Sequence, residues 1–303
     1  MSPSATPDAA PAATPDAAPD ATPRAGLPAA APIAGATPLR VVVFTGGPVL
    51  EDACIELIAR IESRPELELL GVFCEARATG AAGVTRDLWA RRRGLAAPLL
   101  AQRALRRAGR WIAHPRTQLE RRATLRALRD RIHFVASLHA QRLLADIAAL
   151  KPDVGAVYGG PILRPELFEI PAQGTLGIHH GRLPDYRGKK TTFWAMYNGE
   201  EHVGVAIQRI GAGLDRGDVL RDATLPVGRL PLPVVRARLE RLGLDLYIEA
   251  FLSIHRGAAV FRPQPVGGGP LYKDPRAADI VRFWLKYLGR PFARTRSSRT
   301  FRA

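Results

Sequence analysis

Apolar positions begin to recur at Leu39. Leu39-Arg40-Val41-Val42-Val43-Phe44 is an apolar, β-branched run closed by Thr45-Gly46-Gly47-Pro48, the pattern of a buried strand that ends in a turn. From Glu51 to Ser63 the period changes, and Ile55, Leu57, Ile58 and Ile61 fall on one helical face. Leu67 to Phe73 is a second apolar strand. Strand, helix and strand joined by short connections imply parallel pairing and a right-handed crossover. The alternation resumes downstream with a strand at Ile132 to Ala136 and a helix at Gln141 to Leu150. A turn at Lys151-Pro152-Asp153 leads to a strand at Val154 to Tyr158, and further strands are predicted at Thr175 to His179 and Val203 to Arg209. Val234 to Ile254 reads as a helix with Leu239, Leu242, Leu246 and Ile254 toward the core. The predicted fold class is α/β, Rossmann-like, with a mostly parallel sheet flanked by helices.

Composition changes this picture at the two ends and in one internal segment. Residues 2 to 38 are mostly Ala, Pro, Asp and Thr; the prolines block helix and sheet, and little apolar surface offsets the ordering entropy, so a disordered arm is expected over 1–38. Arg86 to Arg131 holds 14 arginines and 3 acidic residues and carries most of the excess in a chain of net charge +16. It is read as a basic helical insertion, interrupted near Pro98 and at His114-Pro115. Such a segment suits contact with nucleic acid or an anionic surface, and equally suits a solvated basic face. The expected layout is an α/β domain over 39–228 and a helical extension over 229–303, with a basic, frayed end after Arg290. Cys54 and Cys74 sit in apolar surroundings without CxxC spacing, as buried free thiols do. No run of about 18 apolar residues suggests a transmembrane segment, and no secretory pattern opens the chain, so a cytoplasmic protein is expected.

Ligands of an open parallel sheet bind outside the carboxyl ends of its strands. Two such ends carry unusual residues. Tyr158-Gly159-Gly160-Pro161-Ile162-Leu163 exposes backbone at two glycines, which serves either a plain turn or the close approach of a flat ligand. Gly177-Ile178-His179-His180-Gly181-Arg182-Leu183-Pro184-Asp185-Tyr186-Arg187-Gly188 gathers two histidines and two arginines directly after a strand.

These segments, with Phe193-Trp194-Ala195, Asn198-Gly199-Glu200 and Gly213-Leu214-Asp215-Arg216-Gly217-Asp218, resemble the folate-dependent formyltransferase family in order and spacing. The likeness covers about 160–228 well and 39–75 loosely. It implies transfer of a formyl group from 10-formyltetrahydrofolate to a primary amine of a small-molecule substrate, with no metal. The resemblance assigns His179 to oxyanion stabilisation and proton handling, and Asp215 to orienting and charging His179. It assigns the folate to Tyr158, Gly159, Gly160, Pro161, Ile162 and Leu163, with Gly213 and Leu214 on the aspartate loop.

One position departs from the family pattern. The family's asparagine falls on Gly177, which has no side-chain amide. Loss of one oxyanion donor costs about 3–4 kcal/mol. His180 is the nearest substitute, with Thr191 and Thr192 as others. The departure leaves three functions in view: amine formylation, hydrolysis of the formyl donor, and a weakly catalytic family member that binds a polyanion. The methionyl-tRNA enzymes add a barrel domain, for which the strand-poor residues after 228 offer little room.

Overall fold

A computed structural model describes residues 37–47, 49–76 and 115–288 of the chain. Strand β1 (Leu39–Gly46) is followed by helix α1 (Asp52–Glu62) and strand β2 (Leu67–Glu75). Helix α2 (Pro115–Ala127) and a short 3-10 turn (Arg129–Arg131) lead into β3 (Ile132–Val135), α3 (Gln141–Ala149), β4 (Val154–Val157), α4 (Pro165–Phe168) and β5 (Thr175–His179). The chain continues through β6 (Arg187–Gly188), α5 (Thr191–Tyr197), β7 (His202–Arg209), β8 (Val219–Pro226), α6 (Leu232–His255), β9 (Leu271–Tyr272) and α7 (Ala277–Leu288). No helix among the described residues is long and apolar enough to cross a membrane.

One seven-stranded sheet runs in the order β3-β2-β1-β4-β5-β7-β8. Strands β1 to β5 pair in parallel, and β7 is antiparallel to both β5 and β8. This is the mostly parallel α/β sheet that the pattern predicts. Strand β1 shows why the pattern is legible: Val41 and Val43 join one core with α1 and α6, while Val42 and Phe44 join the other with α3 and α4. Side chains alternate across a strand, so a sheet covered on both faces needs an apolar residue at every position.

The strand order reverses between β1 and β4, which opens the crevice where such sheets bind ligands. Backbone closes tightly there. Gly46 N–H and Thr45 Oγ1 both donate to the Gly159 carbonyl, at 2.9 and 3.1 Å.

The chain after 228 corrects the expected boundary. Helix α6 lies on the sheet rather than beyond it. Leu239, Tyr247 and Phe251 are fully buried, and the Tyr247 hydroxyl accepts from Val157 N–H at 3.0 Å while donating to the Leu176 carbonyl at 2.7 Å. Residues 232–255 therefore complete the α/β core. Strand β8 went unread because Arg221 and Asp222 interrupt its apolar run; as the last strand of the sheet it tolerates them. The paired strands β6 and β9 and helix α7 were also absent from the sequence reading.

Most of the arm over 1–38, residues 86–114 of the basic insertion and the tail after Arg290 lie outside the described residues. The described part of the insertion opens a helix at Pro115, as the interruption at His114-Pro115 suggests. Arg121 pairs with Asp52 at 3.0 Å and Arg131 with Glu62 at 2.9 Å, so some of these arginines hold the segment to α1. Both cysteines are free and buried. Burial, chiefly, pushes the Cys54 thiol up to about 12.

Candidate active site

Strand β5 ends in His179, and the residues around it come from four parts of the chain. Its Nδ1 lies 3.3 Å from Asp215 Oδ1, and its Nε2 lies 2.7 Å from the Tyr186 carbonyl. The residue is only 7% exposed, so these two acceptors face a ring with little access to water. Both partners are acceptors, so a ring that carries two protons satisfies both.

Asp215 is placed by a loop that turns back over the face of β5 and β7. Its backbone is left-handed, with φ +53°. Two residues later, Gly217 passes so near Arg209 that a Cβ would stand 1.5 Å from the Arg209 carbonyl oxygen, which only glycine permits. Asp215 Oδ2 accepts from Gly188 N–H at 2.7 Å, and Oδ1 from Gln208 Nε2 at 3.3 Å. Gln264 Nε2 donates to the Asp215 and Gly217 carbonyls at 3.1 and 2.7 Å, fixing the loop from outside. Burial alone would raise the Asp215 carboxyl. The hydrogen bond and charge of His179, with the Gly188 and Gln208 donors, outweigh burial and hold it below the usual carboxylate range.

His180, the residue after the strand, meets a different partner. Its Nε2 is 3.5 Å from Glu240 Oε1 on α6, a charge contact rather than a hydrogen bond, and that nitrogen is otherwise buried without a partner. Tyr158 Oη donates to the same Glu240 oxygen. Burial and then the Glu240 carboxylate push the Tyr158 hydroxyl up. Burial would raise Glu240 as well, but His180, the Tyr158 hydroxyl and Arg236 hold it low. Thr191 and Thr192 both donate to the His180 carbonyl, at 2.5 and 3.2 Å. This corrects the expectation that they are free oxyanion donors; they anchor the backbone instead.

A cavity of about 440 Å³ is lined by both histidines, Lys190, Arg236, Glu240 and, from α7, Trp284. A larger cavity of about 810 Å³ lies between α1, β8 and α6 and contains neither histidine. Paired ionisable groups converge on the smaller one. Asp215 and Gly177 do not line it. Gly177 lies on the His179 face, and a Cβ there would meet Ile210 Cδ1 at 2.5 Å. The residues assigned to the folate also lie outside the cavity. Among them Tyr158 and Leu163 are buried, while Ile162 is 81% and Leu214 51% exposed, leaving apolar surface on two loops.

Sequence reasoning missed Glu240, Gln264 and the α7 wall. Glu240 follows Leu239 on a helix read for its apolar positions, and only its burial reveals it. Gln208, within a predicted strand, is a buried polar residue whose partner could not be read locally.

The sheet, its reversal point and a histidine–carboxylate pair beyond β5 define an α/β enzyme-type domain with an acid–base centre. Residues 112–238 match the model of the formyl transferase family, and over this stretch the chain is similar to the folate-dependent formyltransferases. A methionyl-tRNA formyltransferase of Roseiflexus sp. is 39% identical over 127 residues, which are 40% of this chain and 38% of that protein. One from Anaeromyxobacter dehalogenans is 36% identical over 160 residues, covering 52% of this chain and 48% of the relative. The chain thus spans less than half the length of these curated relatives. A glycinamide ribonucleotide transformylase from Symbiobacterium toebii shares the fold at 17% identity and a TM-score of 0.50, covering 75% of this chain and 95% of that one.

Proposed function

We propose that this chain transfers a formyl group from 10-formyltetrahydrofolate to a primary amine on a small acceptor that carries an anionic group. The observation that carries this reading is the buried His179–Asp215 pair, 3.3 Å apart, inside the family-matched stretch. The ionised Asp215 fixes the His179 ring at the end of β5, where the ring would stabilise the oxygen on which negative charge develops as the amine attacks. Its Nε2 is engaged by the Tyr186 carbonyl, so the ring acts by its position rather than by exchanging a proton. Lys190 and Arg236 suit a phosphate of the acceptor, and Phe193, Phe283 and Trp284 suit a ring attached to it. Exposed Ile162 and Leu214 would pack against the flat ring system of the formyl donor.

A second acceptor is favoured by the curated relatives, which are named methionyl-tRNA formyltransferases. One experiment separates the two. The protein is incubated with 10-formyltetrahydrofolate and a panel of amino sugar nucleotides, amino ribonucleotides and charged methionyl-tRNA, with tetrahydrofolate release and acceptor mass followed together. Formylation of a small amine supports the reading. Formylation of the tRNA alone replaces its acceptor. Release of tetrahydrofolate without any acceptor replaces transfer by hydrolysis, and no release at all refutes the activity.

A further inference from the structure

We propose that His180, rather than His179, takes the proton from the attacking amine, with Glu240 and Tyr158 positioning its ring. The proposal rests on the formyl-transfer reading and adds a second acid–base pair to it. His179 closes β5 and His180 follows it, and the two rings reach different partners, Asp215 and Glu240, yet line one cavity. The two rings differ in what they leave free. His179 has an acceptor at each nitrogen, Asp215 at 3.3 Å and the Tyr186 carbonyl at 2.7 Å, and so keeps no lone pair for an incoming proton. His180 has Glu240 Oε1 at 3.5 Å from Nε2, and among the described residues no protein group bonds its Nδ1. The Glu240 carboxylate places negative charge 3.5 Å from Nε2, so a His180 that carries its proton there presents the Nδ1 lone pair as the base.

The surroundings hold that arrangement. Tyr158 Oη fixes Glu240 Oε1, and the Thr191 and Thr192 hydroxyls fix the His180 carbonyl. The titratable and charged groups that face His180 are Glu240 and Arg236 from α6, Tyr158 from the end of β4, Lys190 from the turn before α5, and His179 beside it.

The step balances within the pair of substrates. The amine nitrogen uses its lone pair to bond the formyl carbon, and the carbonyl π pair moves to oxygen beside His179. His180 Nδ1 takes the proton from the new ammonium. The bond between the formyl carbon and the folate nitrogen then breaks, its pair staying on that nitrogen, which receives the same proton from His180. The products are the formamide and tetrahydrofolate.

The test compares wild type, His180→Gln, Glu240→Gln and Tyr158→Phe. Turnover is measured against pH by tetrahydrofolate release, and the His180 ring is titrated by NMR in isotope-labelled protein. His180→Gln should lower kcat by at least about 100-fold with donor KM little changed. Glu240→Gln should move both the acid limb of the rate profile and the His180 ring titration to lower pH, because the carboxylate that favours the charged ring is gone. Tyr158→Phe should move them less, in either direction. His180→Gln with more than a tenth of wild-type kcat, in folded protein, overturns the assignment. A His180 titration unmoved by Glu240→Gln overturns the pairing even if no acceptor has been found. Failure of wild type on every amine instead counts against the formyl-transfer reading itself.

Discussion

Gly177→Asn restores the amide that the family pattern has at this position, and the structure says what stands in its way. The Cβ of the new residue would lie 2.5 Å from Ile210 Cδ1 and 3.4 Å from Cγ1. The backbone at 177 lies outside the left-handed region, so it accepts a side chain without strain. The obstacle is one methyl group at the end of a half-buried side chain. Crowding of this kind costs about 1–3 kcal/mol, and replacing glycine returns about 0.4–1 kcal/mol through the unfolded chain. Ile210→Val deletes Cδ1 and nothing else, at a cost of about 0.5–1.5 kcal/mol alone. Gly177→Asn with Ile210→Val should therefore be more stable than the sum of the single changes by about 1 kcal/mol or more. Urea denaturation of the four proteins of this cycle measures the coupling. If the amide then reaches the developing oxyanion, kcat for tetrahydrofolate release rises, up to about 100-fold or more, with donor affinity unchanged. Additive stabilities would refute Ile210 as the obstruction. A double variant no faster than wild type would refute the amide's role and mark the glycine as part of a site built differently.

Four further outcomes are expected. His179→Ala and Asp215→Asn should each lower turnover by at least about 100-fold with the fold retained, read by steady-state kinetics beside circular dichroism. Asp215 titrates below its ordinary value in the native state, so the stability it contributes is present above about pH 4 and is lost as pH falls through the lower native value; Asp215→Asn should flatten the stability profile in that acid window. Tyr247→Phe removes the hydroxyl that bridges β4 and β5 and leaves the Val157 N–H unpaired, which should cost about 1–3 kcal/mol in urea denaturation without altering donor affinity. The Arg86 to Arg131 segment should bind RNA, DNA or anionic vesicles with an affinity that falls steeply as salt rises; a gel-shift series with no binding near physiological salt would reduce it to a solvated face.

Sequence reading succeeded where one local signal decided the matter. Strand β5 was bounded at Thr175 and His179 because both faces of it are buried. Helix α1 was visible because Ile55, Leu57, Ile58 and Ile61 fall on its packed side. Positions 177 and 179 lie two apart on this strand and so share a face: an added Cβ at 177 would meet Ile210, and His179 meets Asp215, of one loop. What escaped depends on pairing across long stretches of chain. Asp215 was reached through the family likeness, since a turn aspartate in a glycine-rich loop carries no mark of its partner. Glu240 carries no local mark on its helix, although Tyr158, 82 residues earlier, hydrogen-bonds it. Strand β9 is two residues long and forms only because Arg187 and Gly188 lie beside it. Its neighbour Gly269 accepts both Arg187 Nε and Nη2, at 3.0 and 2.5 Å.

Those late contacts bear on the order in which the protein is made. The ligands that steady the Asp215 loop and the Arg187 turn come from Gln264 and Gly269, and one wall of the cavity comes from α7. The ribosome delivers both histidines and Asp215 well before any of these. A nascent chain stopped near residue 255 would already own its sheet and its seven strands, yet its Asp215 loop would lack the Gln264 brace and its cavity the α7 wall. The candidate site is thus completed after the sheet, by residues 262 to 288.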